Sequence, residues 1–272
     1  MPYDRAPAAQ EPSSPLSILL TNDDGIDAPG IIALQQELAA IGQVTVVAPK
    51  ENQSGVGHAL TFFPPMRLKQ VEREGKFFGH ALSGAPADCV KLALSRLLQR
   101  KPDLVISGIN RGANLGIAVF SSGTVAGARE GTIQGVPSIA VSLESRPSSR
   151  GKEDYRFAAR FTRKLALLVA KNGLPPGVLL NVNVPAGEEK EIKGMAITRQ
   201  GDGRLDFSFQ EAKDPFGEPY YYYWRDTHSP PAPPDGRTDQ GALAEGRVSI
   251  TPLRLDTTEH EWLEKLRSWD LR

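Results

Sequence analysis

Short, unbroken apolar runs recur along the chain, at Leu16 to Thr21, Val44 to Ala48, Leu104 to Ser107, Val136 to Leu143 and Val178 to Val184. Runs of this length without polar alternation read as strands buried on both faces, the habit of a parallel sheet. Helical patterns separate them, over Pro29 to Ile41, Pro86 to about Arg100, Thr124 to Gln134 and about Glu153 to Asn172. Pro29 suits a first helical turn, where a missing N–H costs nothing, and Gly42 suits a helix end. Residues 59–82, with Phe77 and Phe78 at their heart, read as extended or hairpin structure. The alternation predicts an α/β protein, a Rossmann-like three-layer α/β/α fold with a mostly parallel sheet.

The pattern changes near residue 185. Residues 199–246 are rich in Gly, Pro, Asp and Tyr, with little apolar alternation. So long a weakly periodic stretch is unusual inside a compact domain and reads as a projecting β-arm. Its aromatic run, Tyr220 to Trp224, is of the kind found in interface cores. Arg247 to Leu253 reads as a returning strand, and Thr257 to Trp269 as a terminal helix with Trp262, Leu266 and Trp269 on one side. Three segments are expected: a disordered tail over residues 1–15, a catalytic α/β domain over 16–198, and an oligomerisation segment over 199–272.

Composition narrows the function. Among 272 residues, 32 basic side chains balance 32 acidic ones, which argues against an electrostatic nucleic-acid footprint. A single cysteine, Cys89, excludes an internal disulfide framework and suits the cytoplasm. No apolar stretch is long enough to cross a bilayer, and the first fifteen residues have no apolar core of the signal-peptide kind.

Polar clusters close three of the apolar runs. Thr21-Asn22-Asp23-Asp24-Gly25 follows the first; Asn52-Gln53-Ser54-Gly55 comes shortly after the second; Ser107-Gly108-Ile109-Asn110 with Asn114 follows the third and leads into Ser121-Ser122-Gly123-Thr124. Ligands of open α/β sheets bind outside the carboxyl ends of the strands, so these clusters describe one candidate pocket. Asp23 and Asp24 repel one another unless a cation sits beside them. They read as ligands of a hard divalent ion, or as a solvated turn. Ser54 can add a hydroxyl and Asn110 a neutral amide oxygen. A helix beginning near Ser122 to Thr124 offers free N–H groups and a favourable dipole to a phosphate, or is simply capped there. His58 reads either as a general acid or as a structural side chain. Both the Walker A pattern and the dinucleotide glycine fingerprint are missing.

Together these stretches resemble the SurE survival-protein family, metal-dependent 5′/3′-nucleotidases also described as acid phosphatases. The resemblance rests on Ile18 to Gly25 with Ala28-Pro29-Gly30, Val47-Ala48-Pro49 with Asn52 to Gly55, Ser83 to Val90, Pro102-Asp103 with Ser107 to Gly116, Ser122 to Ala126, and Thr238-Asp239 with Gly246 to Leu253. It implies that Asp23, Asp24, Ser54 and Asn110 hold one divalent ion per subunit (Mg²⁺, Mn²⁺ or similar). It further implies that Asn114, Ser122, Gly123 and Thr124 hold the phosphate of a nucleoside monophosphate. Asp23 or Asp24 is then the candidate for accepting a proton from water. A homodimer or dimer of dimers with exchanged C-terminal elements is implied as well, as is activity on 3′-monophosphates and short polyphosphate. Ala85 stands where the family usually has Thr, and Arg247 where it has an aromatic. Two rival readings are a Rossmann-like nucleotide-binding oxidoreductase and a non-enzymatic regulatory protein with an acidic pair. The missing glycine fingerprint speaks against the first, and a third strand ending without a carboxylate against the second.

Overall fold

The computed structural model describes residues 15–146, 151–202, 207–225 and 235–270. Residues 1–14 of the expected tail and parts of the expected arm lie outside them. In chain order the strands are β1 (Leu16–Thr21), β2 (Gly42–Pro49), β3 (Leu68–Arg73), β4 (Lys76–Leu82), β5 (Leu104–Arg111), β6 (Ser138–Leu143), β7 (Val178–Val184), β8 (Met195–Ile197), β9 (Phe207–Lys213), β10 (Pro219–Arg225) and β11 (Val248–Arg254). The helices are α1 (Pro29–Leu38), α2 (Pro86–Leu92), α3 (Gly123–Ile133), α4 (Arg156–Asn172), α5 (Asp239–Ala244) and α6 (His260–Arg267).

Nine strands form one sheet in the order β3-β4-β2-β1-β5-β6-β7-β11-β8. The β4, β2, β1, β5, β6 and β7 strands run parallel, and only the β3–β4 and β7–β11 pairs are antiparallel. The fold class read from the apolar runs is the one observed, with helices on both faces. Side chains of a strand alternate between faces, and β1 shows how this divides the core. Leu16, Ile18 and Leu20 pack with Ile31 and Leu34 of α1 and Ala158 of α4. Leu19 packs with Cys89 and Val90 of α2 on the opposite face. Cys89 is a buried apolar side chain, its thiol pushed well up by burial.

Several details differ from the sequence pattern. The helix expected to reach Arg100 ends as α2 followed by a π-helical turn over Ala93–Leu97. β8 and α5 were not expected; β8 lies just before the stretch of weak periodicity and α5 within it, and both are short. Part of that stretch is a hairpin, β9 against β10, forming a sheet of its own. Another part is docked on the main body, where Arg199 bridges to Thr238 and Asp239 caps two backbone amides. No residue of α6 is buried, and Trp262, Leu263, Leu266 and Trp269 are exposed on it and just beyond it.

Candidate active site

β1 delivers the acidic pair. Its alternation continues past Thr21, so Asp23 falls on the α3 face, below the start of that helix. Gly123, the first residue of α3, is packed so closely that a Cβ there would stand 2.7 Å from Asp23 Cβ and 2.9 Å from Asp23 Oδ2. Only glycine permits this approach. Thr124 Oγ1 donates to Asp23 Oδ1 at 2.5 Å. Gly25, at φ +100°, turns the chain back after the pair, and the Asn22 side chain donates to its carbonyl at 2.8 Å. Asp24 is pulled toward β5, accepting from the Arg111 amide at 2.9 Å.

The neutral oxygens come from two further strand ends. The Gln53 amide donates to the Asp23 carbonyl at 2.7 Å, which ties the loop bearing Ser54 to β1. Ser54 itself is exposed, its amide donating to Asn52 Oδ1 at 2.8 Å. Asn110 is buried beside Arg111; its Nδ2 donates to the Gly112 carbonyl at 2.6 Å, so the amide nitrogen is engaged and the oxygen faces away from that bond. Ser122 caps α3 by accepting from the Val125 amide at 3.1 Å.

Asp23, Asp24, Asn110, Ser122, Gly123 and Thr124 are thus brought together, and the Ser54 loop is fastened to them. Asn114 stands further along, over the ends of β6 and β7. One of its amide hydrogens goes to Ser142 Oγ (2.8 Å), its backbone amide to Asn183 Oδ1 (2.7 Å), and its carbonyl accepts from Asn181 (2.9 Å) and Asn183 (3.1 Å). His58 is turned to Glu130 of α3, with Nε2 to Oε2 at 3.0 Å.

Burial raises the Asp23 carboxyl to about 6, against hydrogen bonding from Thr124, and the Asp24 charge adds to the rise. Asp24 is also raised by burial, less so because the Arg111 amide and charge act the other way. Arg111 gives its guanidinium to Glu153 at 2.9 Å rather than to the pair. Among the described residues neither carboxylate forms a salt bridge, and the Arg111 charge only partly offsets the burial of Asp24, an arrangement that favours a bound cation. Around them, the buried oxygens of Thr21, Asn22 (Oδ1) and Ser107 have no hydrogen-bond partner. Among the described residues no group of three or more His, Cys, Asp or Glu side chains could hold an ion. A cation here would be held by the carboxylates together with neutral oxygens, a donor set that suits a hard divalent ion.

Several positioning residues have no counterpart in the sequence reading. Asn181 and Asn183 show a signal: two amides two residues apart, on one face of an otherwise apolar strand. Asp239, on α5, accepts from the amides of Gly116 (2.8 Å) and Gly201 (2.9 Å) and so steadies the turn that leads to Ser122. Asp88, in the first turn of α2, accepts from the Ala85 amide (2.9 Å) and the Thr61 hydroxyl (2.7 Å). It ties the Ala85 amide, at the helix entry, back to the first turn.

An open parallel sheet with carboxylates, amides and hydroxyls at its strand ends, closed by a helix N-terminus, defines the α/β proteins that bind an anionic ligand with a hard cation. Comparison with known proteins makes the assignment narrower. The model of the family described as survival protein SurE matches residues 18–206. A protein of Moorella thermoacetica named 5′-nucleotidase SurE is 49% identical over 253 residues, covering 93% of this chain and 95% of that one. One of the same name from Syntrophobacter fumaroxidans is 45% identical over 256 residues, covering 94% and 100%. The crystal structure of the SurE protein from Aquifex aeolicus superposes with a TM-score of 0.77 at 39% identity, covering 92% of this chain and 98% of that one. This chain belongs to the SurE family.

Proposed function

We propose that the chain is a metal-dependent phosphomonoesterase that hydrolyses nucleoside 5′-monophosphates to nucleoside and phosphate. The observation that carries the reading is the adjacent pair: Asp23, buried against the first turn of α3, and Asp24, half-buried beside it, neither forming a salt bridge among the described residues. The curated relatives carry the name 5′-nucleotidase over nearly their full length, which supports the substrate class.

Asp23, Asp24, Ser54 and Asn110 would hold one divalent ion, Mg²⁺ or Mn²⁺. Bound there, such an ion supplies positive charge to a phosphoryl oxygen and acidifies the attacking water. The chain's own groups do the rest. The N-terminus of α3, at Ser122 and Gly123, presents backbone N–H groups to the equatorial oxygens. Thr124 keeps Asp23 aimed, and Asn114, fixed by Ser142 and Asn183, offers its remaining amide hydrogen to the phosphate. A carboxylate of the pair is the candidate to take the proton from the water.

The exposed aromatic residues of α6 and of the β9–β10 hairpin, Trp262 and Tyr221 among them, support a homodimer or dimer of dimers built through the C-terminal elements. None of the helices among the described residues is long and apolar enough to cross a membrane. With the single, reduced-type cysteine this supports a cytoplasmic enzyme. The test is phosphate release from a panel of nucleoside 5′- and 3′-monophosphates with Mg²⁺, Mn²⁺ or chelator. Asp23→Asn and Asp24→Asn should each lose activity by at least about a hundredfold. Turnover at the unsubstituted rate in either variant, or turnover indifferent to chelator, contradicts the reading.

A further inference from the structure

The loop after β2 has two fixed ends and an exposed middle. At one end the Gln53 amide is bonded to the Asp23 carbonyl. At the other the Gly57 amide donates to the Ser121 carbonyl at 3.0 Å, and His58 Nε2 meets Glu130 Oε2. Ser54 and Gly55, between them, are exposed. The Glu130 side chain is only 2% exposed, and both its oxygens are used: Oε2 by His58, Oε1 by Lys91 of α2 (3.0 Å) and Gln134 just after α3 (2.8 Å). Such a carboxylate, buried and bonded on all sides, fixes what it holds, because losing one donor leaves charge unsatisfied in the interior.

Glu130 lies seven residues into α3 from Gly123, about 10 Å along the axis. The ring of His58 is therefore drawn down the side of the helix, away from the end that faces the phosphate. That placement argues against proton transfer to substrate and for anchoring. We infer that His58 is a positioning residue: through Glu130 it clamps the loop so that the Ser54 hydroxyl stays presented to the cation held by Asp23 and Asp24. The inference rests on the cation site proposed above. Ser54 depends on the anchors at both ends of its loop because it is itself exposed between them, whereas Asp23, Asp24 and Asn110 are set by strand ends.

Direct Mn²⁺ binding, followed by the electron paramagnetic resonance signal of the free ion, tests it alongside AMP hydrolysis. In His58→Ala the Mn²⁺ dissociation constant should rise about tenfold, the size of effect seen when groups that orient metal ligands are removed. At saturating Mn²⁺ the variant's kcat should return to near the original value, so the defect lies in ion affinity rather than in turnover. His58→Gln, which keeps an N–H able to reach Glu130, should recover most of the affinity. In a Ser54→Ala background, His58→Ala should add no further loss. Should His58→Ala not fold, His58→Asn, too short to reach Glu130, carries the same test. A parent chain that binds no Mn²⁺ overturns the cation site and the clamp with it. A parent chain that binds Mn²⁺, with a His58→Ala variant that binds it equally well, overturns the clamp alone.

Discussion

Glu130 illustrates how much one buried side chain decides. Burial pushes its carboxyl up, but hydrogen bonds from His58, Gln134 and Lys91, with the Lys91 charge, outweigh it and hold it down at about 2. A carboxylate whose folded value is depressed stabilises the protein above its unfolded value, 4.5, and loses that contribution as the pH falls toward 2. The gap corresponds to about 3 kcal/mol. Denaturant titrations between pH 6 and pH 2.5 should therefore show a fall in stability that is shallower in Glu130→Gln, the remainder coming from other depressed carboxylates such as Asp154 and Asp256; an equally steep fall in the variant would refute the assignment. Asp23 presents the opposite case. Its charge is buried without a basic partner, so Asp23→Asn should raise the melting temperature of the metal-free protein at neutral pH by several degrees while abolishing the rise that Mn²⁺ produces. Thermal scans with and without Mn²⁺ check both halves, and a variant less stable than its parent without metal would contradict the picture of an uncompensated charge.

Among the elements, α3 carries the most function, and its packing shows why. Gly123, Gly127 and Gly131 recur every four residues and face the sheet. A Cβ at Gly127 would stand 2.7 Å from Ser107 Oγ and 2.9 Å from Thr21 Cγ2. The helix lies close enough to the sheet for its first turn to reach the end of β1. Gly127→Val should cost about 2–3 kcal/mol, by overpacking, in denaturant unfolding; a change within a few tenths would mean that the helix lies further from the strands. This element was legible from its cap residues, as β1, β2, β5, β6 and β7 were from their apolar runs. The place of the acidic pair at the end of a buried strand was legible for the same reason. Glu130 was not: inside Ala128-Arg129-Glu130 it reads as an ordinary surface charge, and His58, its partner, lies 72 positions away. Short elements such as β8 and α5 were missed because three to six residues cannot display a period.

The assembled molecule joins a rigid sheet to a sparsely packed C-terminal end. The central strands of the nine-stranded sheet are buried, and the hairpin and the C-terminal segment through α6 leave Phe209, Tyr220, Tyr221, Trp262 and Trp269 in contact with solvent. Aromatic surface of this kind marks an interface. Light scattering should give at least twice the 29.5 kDa of the chain, and the pair Trp262→Lys with Leu266→Lys should lower the assembly state if α6 takes part. A chain that is monomeric at tens of micromolar would refute exchange of C-terminal elements. The site itself draws on residues spread from Asp23 to Thr124, joined by β1, β5 and α3. Everything proposed for its chemistry depends on a cation at that junction. Anomalous diffraction at the manganese edge, from crystals grown with Mn²⁺ and phosphate, tests this most directly. A single strong peak bounded by Asp23, Asp24 and Asn110, with phosphate at the start of α3, is the predicted result. Manganese bound elsewhere, with the acidic pair left bare, would contradict it.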